Sequence, residues 1–507
     1  MSVMVDQHRK AGARGWAALG ALMFPVLLVS VNNTALSFAL PAISAGLRPT
    51  AAQLLWIVDI YPLVLAALLI PMGSLGDRIG RRKMLIIGSS GFGLVSLGAA
   101  FAPSAEWLLA ARVGIAVFGS MLLPTTLSLL RTVFQDDRQR SLAIAIWTAG
   151  FSAGAALGPI AGGFLLNHFW WGSVFLLAVP VLIAFLIAAP LLLPESRDPH
   201  PGPVDPASIV LAVLTMAPIV YGIKTMATGG STLHGVLFIA VGALCGLLFA
   251  RRQVVKDYPM LDLRFFRSPR FSGGLAVNVV ANVAMFGFLF FLTQHLQLVS
   301  GMDPMTSGLF MVPGLLLAIV AGLTAAKLAY TIGLRNAVVL GLSLVALGFF
   351  LVFFTDQQAS ALPVLGGFTV MSAGVGIATT LSTDLVVSSV PERKAGAASA
   401  VSETGYEVGA VLGTAVLGGV TTAFYQTHLD LPAALDPASA QAAHETLGGA
   451  LDVAAQSPLQ ASIVDAATAA FSSGMQWSSL VGGLMVLVVA VVLVRVLRAD
   501  RRMPRTR

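Results

Sequence analysis

Glu403 and Glu407 lie four residues apart in the apolar run 396–424 and so share one helix face. Asp59 lies in a second apolar run, 53–73, with Trp56 three residues before it on the same face. Acids inside a membrane are costly and mark ion pathways or proton relays. A carboxylate held in an oily interior binds a proton or an organic cation, but not both, so the two compete for one site. Glu407 is the deeper of the pair and the better candidate for cation binding; Glu403 suits a proton site or an inner gate. Arg112, inside the run 106–130, must face the protein interior and pair with backbone carbonyls or an acid. Gly405, Gly409 and Gly413 also recur by four. Two residues turn a helix by about 200°, so these glycines face away from the glutamates, toward a partner helix.

Cations are also held by aromatic faces, and methionine adapts to varied shapes. Trp56, Tyr61, Trp147, Met285, Phe286 and Tyr406 are candidates to line a cavity, with Asn278 and Asn282, four apart, facing inward. The single cysteine, Cys245, excludes a disulfide framework or a cysteine-rich metal site. No phosphate-binding loop is present, so the energy for any transport comes from an ion gradient rather than ATP; no metal or other cofactor is expected.

These residues need a membrane to sit in, and the composition supplies one. The 507 residues are 57% hydrophobic and 10% charged, and the mean hydropathy is +0.86, which rules out a soluble enzyme. Fourteen apolar runs are long enough to span: 17–41, 53–73, 84–102, 106–130, 141–166, 172–193, 207–227, 233–250, 271–299, 305–326, 336–354, 361–388, 396–424 and 476–497. They lack a period of two, so they are helices rather than barrel strands. With both termini cytoplasmic, 27 of the 30 Lys and Arg residues fall on the inner side, leaving Arg48 and Lys224 outside and Arg112 within a span. The net charge of +7 is therefore a topology signal rather than a nucleic-acid surface, and the basic tail 498–507 meets anionic lipid headgroups.

The fold class expected is an all-α integral membrane protein of fourteen helices. Residues 1–193 form a six-helix bundle, 194–270 a Pro-rich linker with two additional spans and a basic inner segment, and 271–507 a second six-helix bundle. An acidic extracytoplasmic loop, 425–475, reads as a helical hairpin of 438–455 and 459–472, separated at Ser457-Pro458.

The loop after the second span reads Gly73-Ser-Leu-Gly76-Asp77-Arg78-Ile-Gly80-Arg81-Arg82-Lys83. Its glycines allow a tight turn and its charges can latch one half against the other. In the fifth span Gly150, Gly154, Gly158 and Gly162 recur every four residues, followed by Gly163 and interrupted by Pro159. Such a smooth face permits close helix approach, and the proline permits a bend. The loop resembles the signature of the major facilitator superfamily, the stretch around Arg112 that superfamily's fourth-helix motif, and the fifth span its antiporter motif. With fourteen spans, the chain is similar to the fourteen-helix drug–proton antiporters. The resemblance implies two bundles around a central cavity. It also implies export of lipophilic cations, such as quaternary ammonium compounds and dyes, in exchange for protons by alternating access, with a proton-relay role for Arg112. The implied setting is the cytoplasmic membrane, as a monomer among lipids. Asn32 stands where that family carries an aspartate, so one proton site is missing or proton coupling is reduced. The alternatives are an uncoupled or neutral-solute facilitator of the same fold, a transport-impaired variant, or a non-transporting receptor.

Overall fold

The computed structural model describes residues 11–197, 205–227, 230–256, 259–355, 361–390, 395–432 and 434–499. These are helical almost throughout, with no strand among them. The first group of helices is α1 (Ala13–Leu47), α2 (Ala51–Ile79), α3 (Arg81–Ala100), α4 (Ala105–Gly119), α5 (Leu122–Val133), α6 (Asp137–His168), α7 (Ser173–Leu176) and α8 (Ala178–Leu192). A pair follows, α9 (Pro206–Ala227) and α10 (Thr232–Val255). The rest are α11 (Pro269–Gln294), α12 (Pro304–Ile332), α13 (Leu334–Phe353), α14 (Ala361–Ser388), α15 (Ala395–Gly413), α16 (Gly419–His428), α17 (Pro437–Glu445), α18 (Leu447–Ala455) and α19 (Gln460–Ala499). Thirteen helical segments among the described residues are long and apolar enough to cross a membrane, and the remaining expected span, 141–166, lies inside the 32-residue α6.

Some spans are broken, and prolines explain two of the breaks. Pro124 lacks an N–H and its ring crowds the carbonyl of Ser120, so the fourth span divides into α4 and α5 there. Pro180 does the same to Leu176, dividing α7 from α8. The thirteenth span carries a π-helical turn, Thr414–Gly418, between α15 and α16.

Two hydrophobic cores result. One is built from α1–α8 and the other mainly from α11–α19. The glycine face of α6 packs on α1. A Cβ at Gly154 would sit 2.8 Å from Ser30 Cβ, one at Gly158 would overlap Thr34, and the Thr34 hydroxyl donates to the Ala155 carbonyl at 3.1 Å. The α9–α10 pair closes through Gly242, where a Cβ would lie 2.7 Å from the Thr215 carbonyl. At its other end Asp205 accepts from Arg252 at 3.0 and 2.9 Å and pairs with Lys256 at 2.7 Å. Those hydrogen bonds from Arg252 hold Asp205 far below the usual carboxylate range, so the clamp stays charged at neutral and mildly acidic pH and is lost only in strong acid.

The two groups meet, among other places, at the end of the molecule opposite the start of α1 and the end of α19. There Ser44 and Thr446 hydroxyls lie 3.0 Å apart, the Ala51 N–H donates to Glu445 Oε2 at 2.9 Å, and Gln297 Nε2 donates to the Phe38 carbonyl at 3.1 Å. Asn167 Nδ2 donates to Asp303 at 2.8 Å. Hydrogen bonds from Thr306 and Asn167 hold the Asp303 carboxyl down at about 2. The hairpin differs from the sequence expectation. The stretch 438–455 breaks at Glu445–Thr446 into α17 and α18, because Thr446 caps the second helix through the Gly449 N–H. The stretch 459–472 is instead the start of the 40-residue α19.

The glycine-rich loop is held by local contacts. Gly80 has φ +111°, and a Cβ there would lie 2.6 Å from Glu195 Oε1. Arg81 donates to Thr132 Oγ1 at 2.8 Å and Ser196 Oγ at 3.1 Å, and Arg82 donates to the Leu193 carbonyl at 3.2 Å. These contacts fasten the loop to α5 and to the segment after α8, within the first group, not across to the second. Gly73 and Gly76 pack on Pro124 and Thr125, Arg78 is exposed, and the side chain of Asp77 lies outside the described residues.

Candidate functional site

Three helices deliver charge to one buried point. Asp59 on α2, Arg112 on α4 and Glu407 on α15 are 0%, 2% and 1% exposed. With Thr414 and Phe286 they line a single cavity of about 20 Å³. That is room for about one water molecule, so anything larger reaches these carboxylates only when the helices part. Neither Glu407 oxygen has a hydrogen-bond partner among the described residues. Glu403, one turn away, is half-buried.

Arg112 takes the backbone option. Its Nε donates to the Ile57 carbonyl at 3.0 Å, its Nη2 to the Val58 carbonyl at 3.3 Å, and its guanidinium lies 4.7 Å above the Tyr61 ring. The fork ties α4 to α2 immediately before Asp59. A lysine has no planar fork and cannot reach both carbonyls in the same way. Arg112→Lys is expected to loosen α4 from α2 by roughly one charge-assisted hydrogen bond, read as a lower melting temperature in detergent with unchanged membrane expression by immunoblot.

The charge distribution puts Lys224 outside the membrane; the structure places it at the site. On α9, 1% exposed, its Nζ is 2.9 Å from Asp59 Oδ2 and 4.3 Å from the Trp56 ring centre. The signal was present: a lysine inside the apolar run 207–227 demands a partner for the same reason as Arg112.

The other candidates separate into groups. Trp56 faces α9, with Tyr221 6.5 Å away, rather than an open cavity. Tyr61 is fully buried under Arg112. Asn278 donates to Ser402 at 3.2 Å and Asn282 to the Asn278 carbonyl at 2.8 Å, so both belong to the α11–α15 packing interface instead of a cavity wall. Met285 packs against the second core. Tyr406 lies edge-on to Phe286 at 5.5 Å and to Phe151 at 5.9 Å, bridging the groups, and Phe151 stacks on Trp147. The Trp147 indole donates to Thr126 at 3.1 Å. Asn32 is half-buried, close to the Tyr61 hydroxyl. As the spacing requires, Gly405, Gly409 and Gly413 pack on α11: Cβ atoms there would lie 2.6 Å from Leu275, 2.7 Å from Asn282 and 2.5 Å from the Val283 carbonyl. Gly163 abuts the backbone of Pro304 and Met305, and Pro159 abuts Gly308. Gly150 and Gly162 face Met23 and Ala35 of α1.

Comparison with known proteins adds to this geometry. The family model described as Major Facilitator Superfamily matches residues 22–414. The chain is 50% identical over 481 residues to the multidrug efflux pump LfrA of Mycolicibacterium smegmatis, covering 94% of this chain and 95% of that one. It is 36% identical over 488 residues to the methyl viologen resistance protein SmvA of Salmonella typhimurium, covering 94% and 97%. Among solved structures, a bacterial homologue of the human lysosomal transporter Spinster aligns with a TM-score of 0.68 at 17% identity, covering 97% of this chain and 99% of that one. At that identity the likeness concerns the fold.

Proposed function

Since the chain belongs to the major facilitator superfamily and groups with its multidrug efflux transporters, we propose that it exports lipophilic cations, quaternary ammonium compounds and dyes among them, in exchange for protons. It is a multi-pass membrane transporter and not an enzyme. The observation that carries the finer reading is the shared cavity of Asp59 and Glu407: two carboxylates from different helix groups, Asp59 paired with Lys224 and Glu407 with neither oxygen hydrogen-bonded among the described residues. A cation or a proton neutralises such a group, and each excludes the other. The relative named for methyl viologen resistance supports a cationic substrate. In this reading the protein works as a monomer in the inner membrane among lipids, with no cofactor. Both termini are cytoplasmic, the closed α17–α18 end faces outward, and Arg112 assists proton transfer by fixing α2. Asn32 contributes hydrogen bonding rather than a titrating group.

Purified protein in liposomes with an acidic interior and a fluorescent lipophilic cation outside tests this. The dye is expected to accumulate inside and to leave when a protonophore is added. Accumulation that ignores the pH gradient overturns proton exchange and favours an uncoupled facilitator.

A further inference from the structure

Helix α9 belongs to the pair beyond the two groups, and the exchange of cation for proton makes no use of it. Yet its Lys224 reaches the most buried acid of the site. The ammonium is held by a carboxylate oxygen at 2.9 Å and an indole face at 4.3 Å, with the Tyr221 ring beside that indole. A carboxylate flanked by aromatic faces is the chemistry that recognises an organic cation. Lysine is itself such a cation, on a flexible four-carbon stem. Structural need does not account for the pair, because a buried ion pair is on average no more stabilising than apolar residues of the same volume. Asp59 also borders the cavity it shares with Glu407 and Arg112, so its carboxylate is within reach of whatever enters there.

We propose that Lys224 is a tethered cation filling a second cation subsite, formed by Asp59 and Trp56, and that a positively charged substrate gains this subsite by displacing the lysine. The inference rests on the cation-export reading and adds to it a role for the α9–α10 pair. A substrate then meets two carboxylates, Glu407 directly and Asp59 in competition with Lys224. Apparent affinity scales with the fraction of molecules in which Asp59 is free.

The test is tetraphenylphosphonium binding to the purified full-length protein in detergent, by calorimetry. Lys224→Met is expected to bind about tenfold more tightly than the parent, as follows if the pair is closed about nine-tenths of the time. Asp59→Asn in the Lys224→Met background is expected to remove that gain. If Lys224→Met does not fold, Lys224→Gln, neutral but still able to donate to Asp59, makes the same comparison. Neutral variants that bind no more tightly than the parent overturn the tethered cation and leave cation export standing. A gain that survives the added Asp59→Asn overturns the assignment of Asp59 as the subsite. If parent and Lys224 variants all fail to bind the probe, both the inference and the export reading fall.

Discussion

Glu407→Gln is expected to lower gradient-driven cation transport by about 30-fold or more while leaving the protein at least as stable as the parent. Both halves of that expectation come from one environment. Glu407 is 1% exposed and neither oxygen has a hydrogen-bond partner among the described residues. Burying a charge without compensation is unfavourable by several kcal/mol, so a carboxylate kept there for packing alone is hard to explain. Glutamine has nearly the same shape without the charge, and among the described residues its arrival leaves no broken ion pair behind. Removing one partner of a buried charge pair with a bound cation costs about 2–5 kcal/mol, and each 1.4 kcal/mol is about tenfold. Transport in liposomes and thermal unfolding in detergent, measured on the same preparation, check the two parts. A melting temperature several degrees lower with transport intact would reverse the assignment and make Glu407 structural. Asp59 does not allow so clean a separation, because its removal strands Lys224.

How much of this was legible beforehand depended on what membranes do to a sequence. Spans are readable because an apolar run long enough to cross lipid stands out, and an acid inside one stands out further. That is how Asp59, Glu403, Glu407 and Arg112 were found. The glycine spacing also told which face of α15 meets a helix and which bears the glutamates, since rotation per residue is fixed. What the spacing does not contain is the identity of the neighbour. In a soluble helix the polar face marks the outside; in these helices the lipid face and the core face are both apolar. Asn278 and Asn282 share a face as expected, yet that face meets Ser402 on α15. Trp56 shares Asp59's face, yet α9 covers it. The loop arginines illustrate the same limit, because their spacing does not contain the contacts that Arg81 and Arg82 make with Ser196 and Leu193. Lys224 differs in kind: the charge pattern marks it as an outside residue, whereas its position inside an apolar run asks for a partner.

Gly163→Val is expected to hold the two helix groups apart at the α17–α18 end and to reduce transport at least fivefold. Here α6 and α12 cross with glycine on both sides. A Cβ at Gly163 would lie 2.7 Å from both Met305 Cα and the Pro304 carbonyl, and one at Gly308 would lie 2.5 Å from the Pro159 carbonyl. These neighbours are backbone, which cannot rotate out of the way as a side chain can, so the helices themselves must separate. Overpacking of this kind costs about 1–3 kcal/mol. The cost falls only on the arrangement in which this end is closed, because the crossing joins the two groups and vanishes when they part. A ligand-free equilibrium between closed and open ends therefore shifts by about 5- to 150-fold toward the open one. Spin labels at Phe164 and Leu309, both exposed near the crossing, are expected to report a longer and broader distance in the variant. Gly98→Val, where a Cβ meets nothing within 4 Å, supplies the matching control with parental distance and transport. An unchanged distance together with full transport in Gly163→Val would show that the crossing yields without opening, and the glycines would then serve the packing of single helices rather than the movement of one group against the other.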